Sequence, residues 1–169
     1  MPTMVAEWCG TCSSKPRLLR TLFAALGLST RLMTATYHYR WPLNVPAPPA
    51  IAEVLRTGPV PDVHNFLTVE SVTGRQPLDT TWPRTGAKQR FPTSERWTLG
   101  EAQPVACVPP FEAWPVPPDV DFIAYKNAIV ERWCVHDPGG NASSPLRRVN
   151  KLIASPVPDL GIRGPERRT

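Results

Sequence analysis

The fold is indicated first by the run Trp8-Cys9-Gly10-Thr11-Cys12-Ser13-Ser14-Lys15, because it places a thiol at Cys12 directly before a helical pattern of apolar residues. The chain later has His64-Asn65 and then Leu78-Asp79-Thr80-Thr81-Trp82, which add an imidazole and a carboxylate. A thiol is a poor nucleophile until it ionises, so an imidazole must accept its proton and a third group must hold that imidazole in the useful tautomer. The three groups in this order therefore predict acyl-transfer chemistry before they predict a substrate.

Cys12 is predicted to lie in the turn just ahead of the helix that follows it. This helix ends at Gly27, and one stripe of it, expected to be buried, holds Leu19, Leu22, Phe23 and Leu26. A helix that began at Cys12 would lose a backbone hydrogen bond at Pro16, whereas a start at Ser14 puts Pro16 in the first turn, where proline is tolerated. The helix N-terminus then favours the Cys12 thiolate, although less strongly than it would from inside the first turn.

The imidazole and the carboxylate are predicted to lie on two neighbouring strands. Residues 63–70 and 75–82 have strand composition, and Thr73-Gly74 lies in the turn between them, which indicates an antiparallel hairpin. His64 opens the first of these strands, and Asp79 lies towards the end of the second. This layout is expected to bring the two side chains close together across the hairpin.

The other elements are predicted from composition and periodicity. They are a strand at 30–39, a short helix at 50–56, a helix at 121–134 and a short helix at 146–153. Asp119 is a candidate cap for the helix at 121–134, and the residues expected on one side of that helix are Phe122, Tyr125, Ile129 and Trp133. The 22 prolines concentrate in 41–49, 58–61, 104–118 and 155–165, which are expected to be ordered coil or linkers.

Length and charge indicate one domain with a basic tail. A chain of 169 residues is long enough for one hydrophobic core and short for two. Residues 139–169 carry six basic and two acidic residues, so they hold +4 of the net charge of +5. The expected organisation is a domain at 1–138 and a basic, partly disordered extension at 139–169. With no groove-reading motif and no apolar run of bilayer length, neither nucleic acid nor membrane is an expected partner.

The cysteine content indicates a reducing compartment. Residues 1–10 have neither a basic start nor an apolar segment typical of a secretory signal. Four cysteines without an export signal favour the cytoplasm, where a close pair is more often catalytic or metal-binding than a structural disulfide.

The three chemical groups occur in motifs that resemble those of the transglutaminase-like superfamily. The resemblance covers residues 8–83 and rests on the run from Gly10 to Lys15, on His64-Asn65 and on Asp79 with the three residues that follow it. It implies an α+β, papain-like fold in which an N-terminal helix carrying the nucleophilic cysteine packs on an antiparallel sheet carrying histidine and aspartate. By the same resemblance, Cys12 is the nucleophile, His64 the base and Asp79 the residue that orients His64.

The implied activity is cysteine-dependent acyl transfer on the amide bonds of a protein or peptide, through a thioester and without a cofactor or metal. Transfer to water would make the protein a peptidase or amidase, and transfer to an amine would make it a transglutaminase. This chain departs from relatives that have a histidine at the position of Pro16 and more sequence upstream of the cysteine. In papain-like enzymes an upstream side chain helps the cysteine amide to form the oxyanion hole, and here only Glu7, Trp8 and their neighbours could do so.

Other interpretations of the same residues stay open. Trp8-Cys9-Gly10-Thr11-Cys12 also resembles the active-site segment of thioredoxin-like proteins, which would make Cys9 and Cys12 a thiol-disulfide pair, although only seven residues precede Trp8. A papain-type peptidase with His136 as the base, a zinc site and an inactive domain of the same fold are further alternatives. The zinc ligands would be Cys9, Cys12, Cys134 and His136.

Overall fold

The computed structural model describes residues 10–41, 46–56, 58–82, 93, 96–107 and 109–135. Within them the chain forms the helices α1 (Lys15–Ala25), α2 (Pro49–Arg56) and α3 (Phe122–Val135), and the strands β1 (Thr30–Tyr39), β2 (Val60–Ser71), β3 (Gly74–Leu78) and β4 (Phe111–Pro115). The strands form one sheet in the order β3-β2-β1-β4, and every neighbouring pair is antiparallel. The described part of the chain is thus a small α+β fold, which confirms the predicted class.

The buried apolar residues of the sheet form two clusters, one on each face, because side chains alternate along a strand. The first cluster is built on Ala35, Tyr37, Tyr39, Val60 and Phe66 of β1 and β2, and it also contains Val54 of α2 and Cys107. The second contains Leu32, Leu67, Val69 and Leu78 of the sheet together with Phe122 of α3. His64 lies between Val60 and Phe66 at the even-numbered positions of β2, and it therefore shares the face of the first cluster.

Helix α1 begins where the position of Pro16 predicts, but half of its predicted stripe is exposed. Leu19 and Phe23 pack against the second cluster, whereas the exposed fraction is 49% for Leu22 and 72% for Leu26. Leu22 lies about 60° around the helix from Leu19, on the side away from Phe23. Leu26 is the C-cap residue, beyond the last helical turn. The expectation of a four-residue buried stripe was therefore wrong for these two leucines.

The hairpin forms as predicted, with different strand ends. β2 begins at Val60 and continues through Pro61, which lies opposite His38 of β1, so His64 is an interior residue of β2 and not its opening residue. β3 ends at Leu78, so Asp79 follows the strand directly instead of lying within it. Pairing with β1 extends β2 across a proline that, in the sequence alone, indicates a break. Gly74, with φ of +94°, closes the turn that the sequence places at Thr73-Gly74.

β4 was not predicted, because its residues lie in the proline-rich stretch 104–118 that was expected to be coil. It pairs with β1, with Trp114 opposite Thr34, and it forms one edge of the sheet. A proline such as Pro115 is tolerated in an edge strand, because the position of its missing amide donor can face outward instead of a neighbouring strand. Helix α2 matches its prediction to within one residue.

Helix α3 lies at the predicted position with a different cap. The amide of Ala124 donates to Oδ1 of Asp121 over 2.8 Å, so Asp121 caps the helix and Asp119 does not. Phe122 is buried in the second cluster, but Trp133 on the same predicted side is exposed. The helix predicted at 146–153 and the basic extension at 139–169 lie outside the described residues.

Candidate active site

Cys12 lies in a hydrogen-bonded turn immediately before α1. The amide of Thr11 donates to the Ser14 hydroxyl over 2.8 Å, and the amide of Lys15 donates to the Thr11 carbonyl over 3.0 Å. The Lys15 ammonium also donates to the carbonyl of Thr81 over 2.9 Å. This bond ties the start of α1 to the segment that follows β3, and so to the neighbourhood of Asp79.

His64 and Asp79 form a buried pair. Nε2 of His64 lies 2.6 Å from Oδ2 of Asp79, and each residue is only 3% exposed. The His64 ring lies between aromatic neighbours, with its centroid 6.4 Å from that of Phe66 and 6.4 Å from that of Tyr37. These rings restrict the orientation of the imidazole and shield the pair from water.

Three further donors fix the Asp79 carboxylate. Oδ1 accepts the amide of Thr81 over 2.9 Å and its hydroxyl over 2.6 Å, and Oδ2 accepts the amide of Ala106 over 2.8 Å. Burial alone would raise the pKa of Asp79, but the hydrogen bond and charge of His64, with the Thr81 and Ala106 bonds, lower it. Asp79 is therefore a rigid anion that holds the Nε2 proton of His64.

The ionisation of Cys12 depends on His64 and Lys126. Nε2 of His64 is engaged by Asp79, so Nδ1 is the ring nitrogen that remains for proton exchange with another group. Burial opposes ionisation of the thiol, but hydrogen bonding to His64 and the charges of Lys126 and His64 outweigh it and lower the pKa of Cys12 from 9.0 to about 7. Burial also opposes charge on His64, yet its bonds to Asp79 and Cys12 raise the pKa of His64 from 6.5 to about 10. Between these values the site holds a thiolate beside an imidazolium.

Lys126 is a site residue that the sequence did not reveal. Its Nζ lies 3.4 Å from Sγ of Cys12 and donates to the Ser13 hydroxyl over 3.0 Å. A single lysine on a helix is ordinarily a solvated surface residue, and Lys126 is 114 positions away from Cys12 in the chain. Only the packing of α3 beside the turn before α1 brings a second cation to the thiol.

A second acidic residue lies near the thiol and acts in the opposite sense. Asp62, two residues before His64 on the same face of β2, accepts the Tyr37 hydroxyl over 2.8 Å. Its charge raises the pKa of Cys12, and burial together with that charge raises the pKa of Tyr37 far above its ordinary value. Tyr37 is therefore a neutral donor that holds the Asp62 carboxylate in place.

The other described cysteine side chain is in a different environment. Cys107 lies in the first cluster, and burial followed by the charge of Asp79 raises the pKa of its thiol well above the ordinary value. Of the two cysteine side chains that the structure describes, Cys12 is the one that can ionise near neutral pH.

Several residues of the alternative interpretations lie outside the described part of the chain. These are Glu7, Trp8, Cys9 and His136, and the structure describes only the backbone of Cys134. The thiol-disulfide, papain-type and zinc interpretations therefore stay predictions. In the described ranges no group of three or more His, Cys, Asp or Glu side chains is placed to hold a metal ion.

Comparisons with protein-family models, with curated proteins and with solved structures gave no match to this chain. Among the helices that the structure describes, none has both the length and the apolar character required to cross a bilayer.

Proposed function

We propose that this domain catalyses cysteine-dependent acyl transfer on amide bonds, with a transglutaminase-like, papain-type arrangement of Cys12, His64 and Asp79. The observation that carries the proposal is the buried pair of His64 and Asp79, together with the lowering of the pKa of Cys12 by His64 and by Lys126, whose Nζ lies 3.4 Å from Sγ. Asp79 holds Nε2 of His64 and leaves Nδ1 for proton exchange with a thiol, which is what activation of a thiol requires. The helix that follows the thiol and the hairpin that carries the other two groups support the same assignment.

The first half of the reaction follows from the charges of the resting site. The Cys12 thiolate attacks the amide carbonyl, a C–S bond forms, and the carbonyl oxygen takes the electron pair of the double bond. When this intermediate collapses, the C–N bond breaks and Nδ1 of His64 gives its proton to the leaving amine. Cys12 then carries the acyl group as a thioester, and His64 is neutral.

The second half reverses the proton transfers. Neutral His64 removes a proton from the acceptor, which is water or an amine, as the acceptor attacks the thioester. Collapse of the second intermediate releases the product and the Cys12 thiolate, and His64 is again the imidazolium. Asp79 keeps the proton on Nε2 throughout, so that Nδ1 is the nitrogen that exchanges protons with the reacting groups.

The first test measures the reactivity of Cys12 without a substrate. The rate of iodoacetamide alkylation at Cys12 is followed against pH by mass spectrometry in the parent protein and in His64→Ala and Cys9→Ser variants. We expect a midpoint near pH 7 in the parent, a higher midpoint in His64→Ala and an unchanged midpoint in Cys9→Ser. A Cys12 that titrates like a free thiol in all three proteins would refute the proposal.

The second test asks whether Cys12 forms a thioester. The parent and a Cys12→Ser variant are mixed with p-nitrophenyl acetate, and intact mass and peptide mapping locate the acetyl group. We expect acetylation of Cys12 that is lost slowly to water and faster when a primary amine is added. An alkylation midpoint of Cys12 that is unchanged in His64→Ala, together with thiol-disulfide exchange that requires Cys9, would instead favour the oxidoreductase interpretation.

A further inference from the structure

Lys126 supplies a positive charge where acyl transfer needs one, at the nucleophilic sulfur. Its side chain is half-buried, reaches the site from α3, and has its Nζ 3.4 Å from Sγ of Cys12. A lysine ammonium has three donors, and the Ser13 hydroxyl accepts one of them over 3.0 Å. Ser13 thus anchors the ammonium beside the sulfur and limits its movement towards solvent.

During acyl transfer the negative charge moves away from sulfur. It begins on the thiolate and passes to the former carbonyl oxygen, an atom bonded to the carbon that Sγ attacks. His64 cannot follow this charge, because its Nδ1 proton must go to the leaving amine. A separate donor is therefore required for the oxygen, and such donors lie about 2.7–3.1 Å from it in working sites.

Resting on the proposed acyl-transfer function, we infer that Lys126 is the residue that stabilises this oxyanion. The oxygen is two bonds from Sγ, so an ammonium already 3.4 Å from Sγ reaches it by a small rotation of the side chain. The contact with the thiolate in the resting enzyme becomes a contact with the oxyanion in the intermediate. Lys126 would then be the separate donor that the oxyanion requires.

The test compares two reagents that react with the same sulfur, of which only one develops negative charge on an oxygen. N-acetylglycinal, labelled with ¹³C at the aldehyde carbon, adds reversibly to Cys12: a C–S bond forms, the aldehyde oxygen takes the electron pair of the double bond, and the negative charge of the thiolate moves to that oxygen. Iodoacetamide alkylates the same sulfur by displacing iodide and develops no charge on an oxygen. Hemithioacetal affinity is measured by NMR and the alkylation rate by mass spectrometry, both at one alkaline pH at which Cys12 is ionised in every variant.

The variants are Lys126→Met, Lys126→Arg and Arg132→Met. Arg132 lies on the same helix and is exposed, so its replacement controls for the loss of one positive charge from α3. We expect Lys126→Met to weaken aldehyde binding roughly ten- to hundredfold and to leave the alkylation rate unchanged. Lys126→Arg should recover most of the affinity, and Arg132→Met should match the parent in both measurements.

Three outcomes would overturn the inference. The first is parental aldehyde affinity in Lys126→Met, and the second is an equal fall in affinity and alkylation rate, which would mean that Lys126 acts on the thiol alone. Either result leaves the proposed function standing. The third is the absence of a Cys12 hemithioacetal in the parent protein, which would overturn the proposed function together with the inference.

Discussion

Replacement of Asp79 by asparagine tests the centre of the site, because it removes one charge and keeps the shape of the side chain. In the parent, one carboxylate oxygen accepts from His64 and the Ala106 amide, and the other accepts twice from Thr81. An asparagine has one oxygen and one NH₂ group for these positions. In either orientation, the NH₂ group of the asparagine faces a backbone amide, of Thr81 or of Ala106, that donates to Asp79 in the parent.

The structure sets the size of the effect. The pKa of His64 is raised from 6.5 to about 10 against the opposing effect of burial, and the hydrogen bond to Asp79 is the largest cause of the increase. At about 1.4 kcal/mol for each pKa unit, the whole environment of His64, burial included, favours the imidazolium by about 5 kcal/mol. We therefore expect Asp79→Asn to lower the pKa of His64 by more than about one unit and to reduce acyl transfer on the order of 10³- to 10⁴-fold.

The assay is NMR titration of the His64 ring together with the pH dependence of Cys12 alkylation. Asp62→Asn is the matched control, since Asp62 lies on the same strand face and contacts Tyr37. The two substitutions should move the pKa of Cys12 in opposite directions. Asp79→Asn raises it by weakening the imidazolium, whereas Asp62→Asn lowers it by removing a nearby negative charge. A His64 pKa that stays near 10 in Asp79→Asn would show that Asp79 is not the main cause of the raised pKa.

Three further predictions follow from the same structure. The pH profile of kcat/KM should fall below about pH 7, where the Cys12 thiolate is protonated, and above about pH 10, where His64 loses its proton; a profile without the acid limb would contradict the thiolate assignment. In the native protein near neutral pH, iodoacetamide should label Cys12 and leave Cys107 unlabelled, and peptide mapping that found equal labelling would contradict the burial of Cys107. Leu67→Ala, at a fully buried position, should lower the free energy of unfolding in urea by about 2–5 kcal/mol. The exposed Leu22→Ala should cost far less, and equal losses would show that the core is placed elsewhere.

Local patterns in the sequence predicted much of the fold. The position of Pro16 predicted the start of α1, and the turn at Thr73-Gly74 predicted the hairpin. Both depend on backbone chemistry between near neighbours in the chain. The parts that were missed depend on distant neighbours: β4 exists because β1 offers it a pairing edge, and β2 runs through Pro61 for the same reason. Leu22 and Leu26 share the periodicity of Leu19, but they are exposed. Periodicity along a helix does not show how far around the helix the surface that covers it extends.

The sequence by itself determined the chemical groups of the candidate site and their order along the chain. The position of Pro16 was sufficient to place Cys12 just ahead of a helix, and the turn at Thr73-Gly74 was sufficient to predict that His64 and Asp79 would lie close together. Both expectations concern residues at most a hairpin apart, or the end of one helix. The grouping of Cys12 with that pair was implied by the resemblance to the transglutaminase-like superfamily.

The tertiary structure alone decided the electrostatics. Burial of His64 and Asp79 strengthens their interaction, since a charge pair out of water is screened less, and α3 brings Lys126 to a sulfur 114 residues away. The pKa of a thiol depends on the charges within a few ångströms and on the water that is excluded. Neither can be obtained from spacing along the chain, because both are set by how separate elements pack.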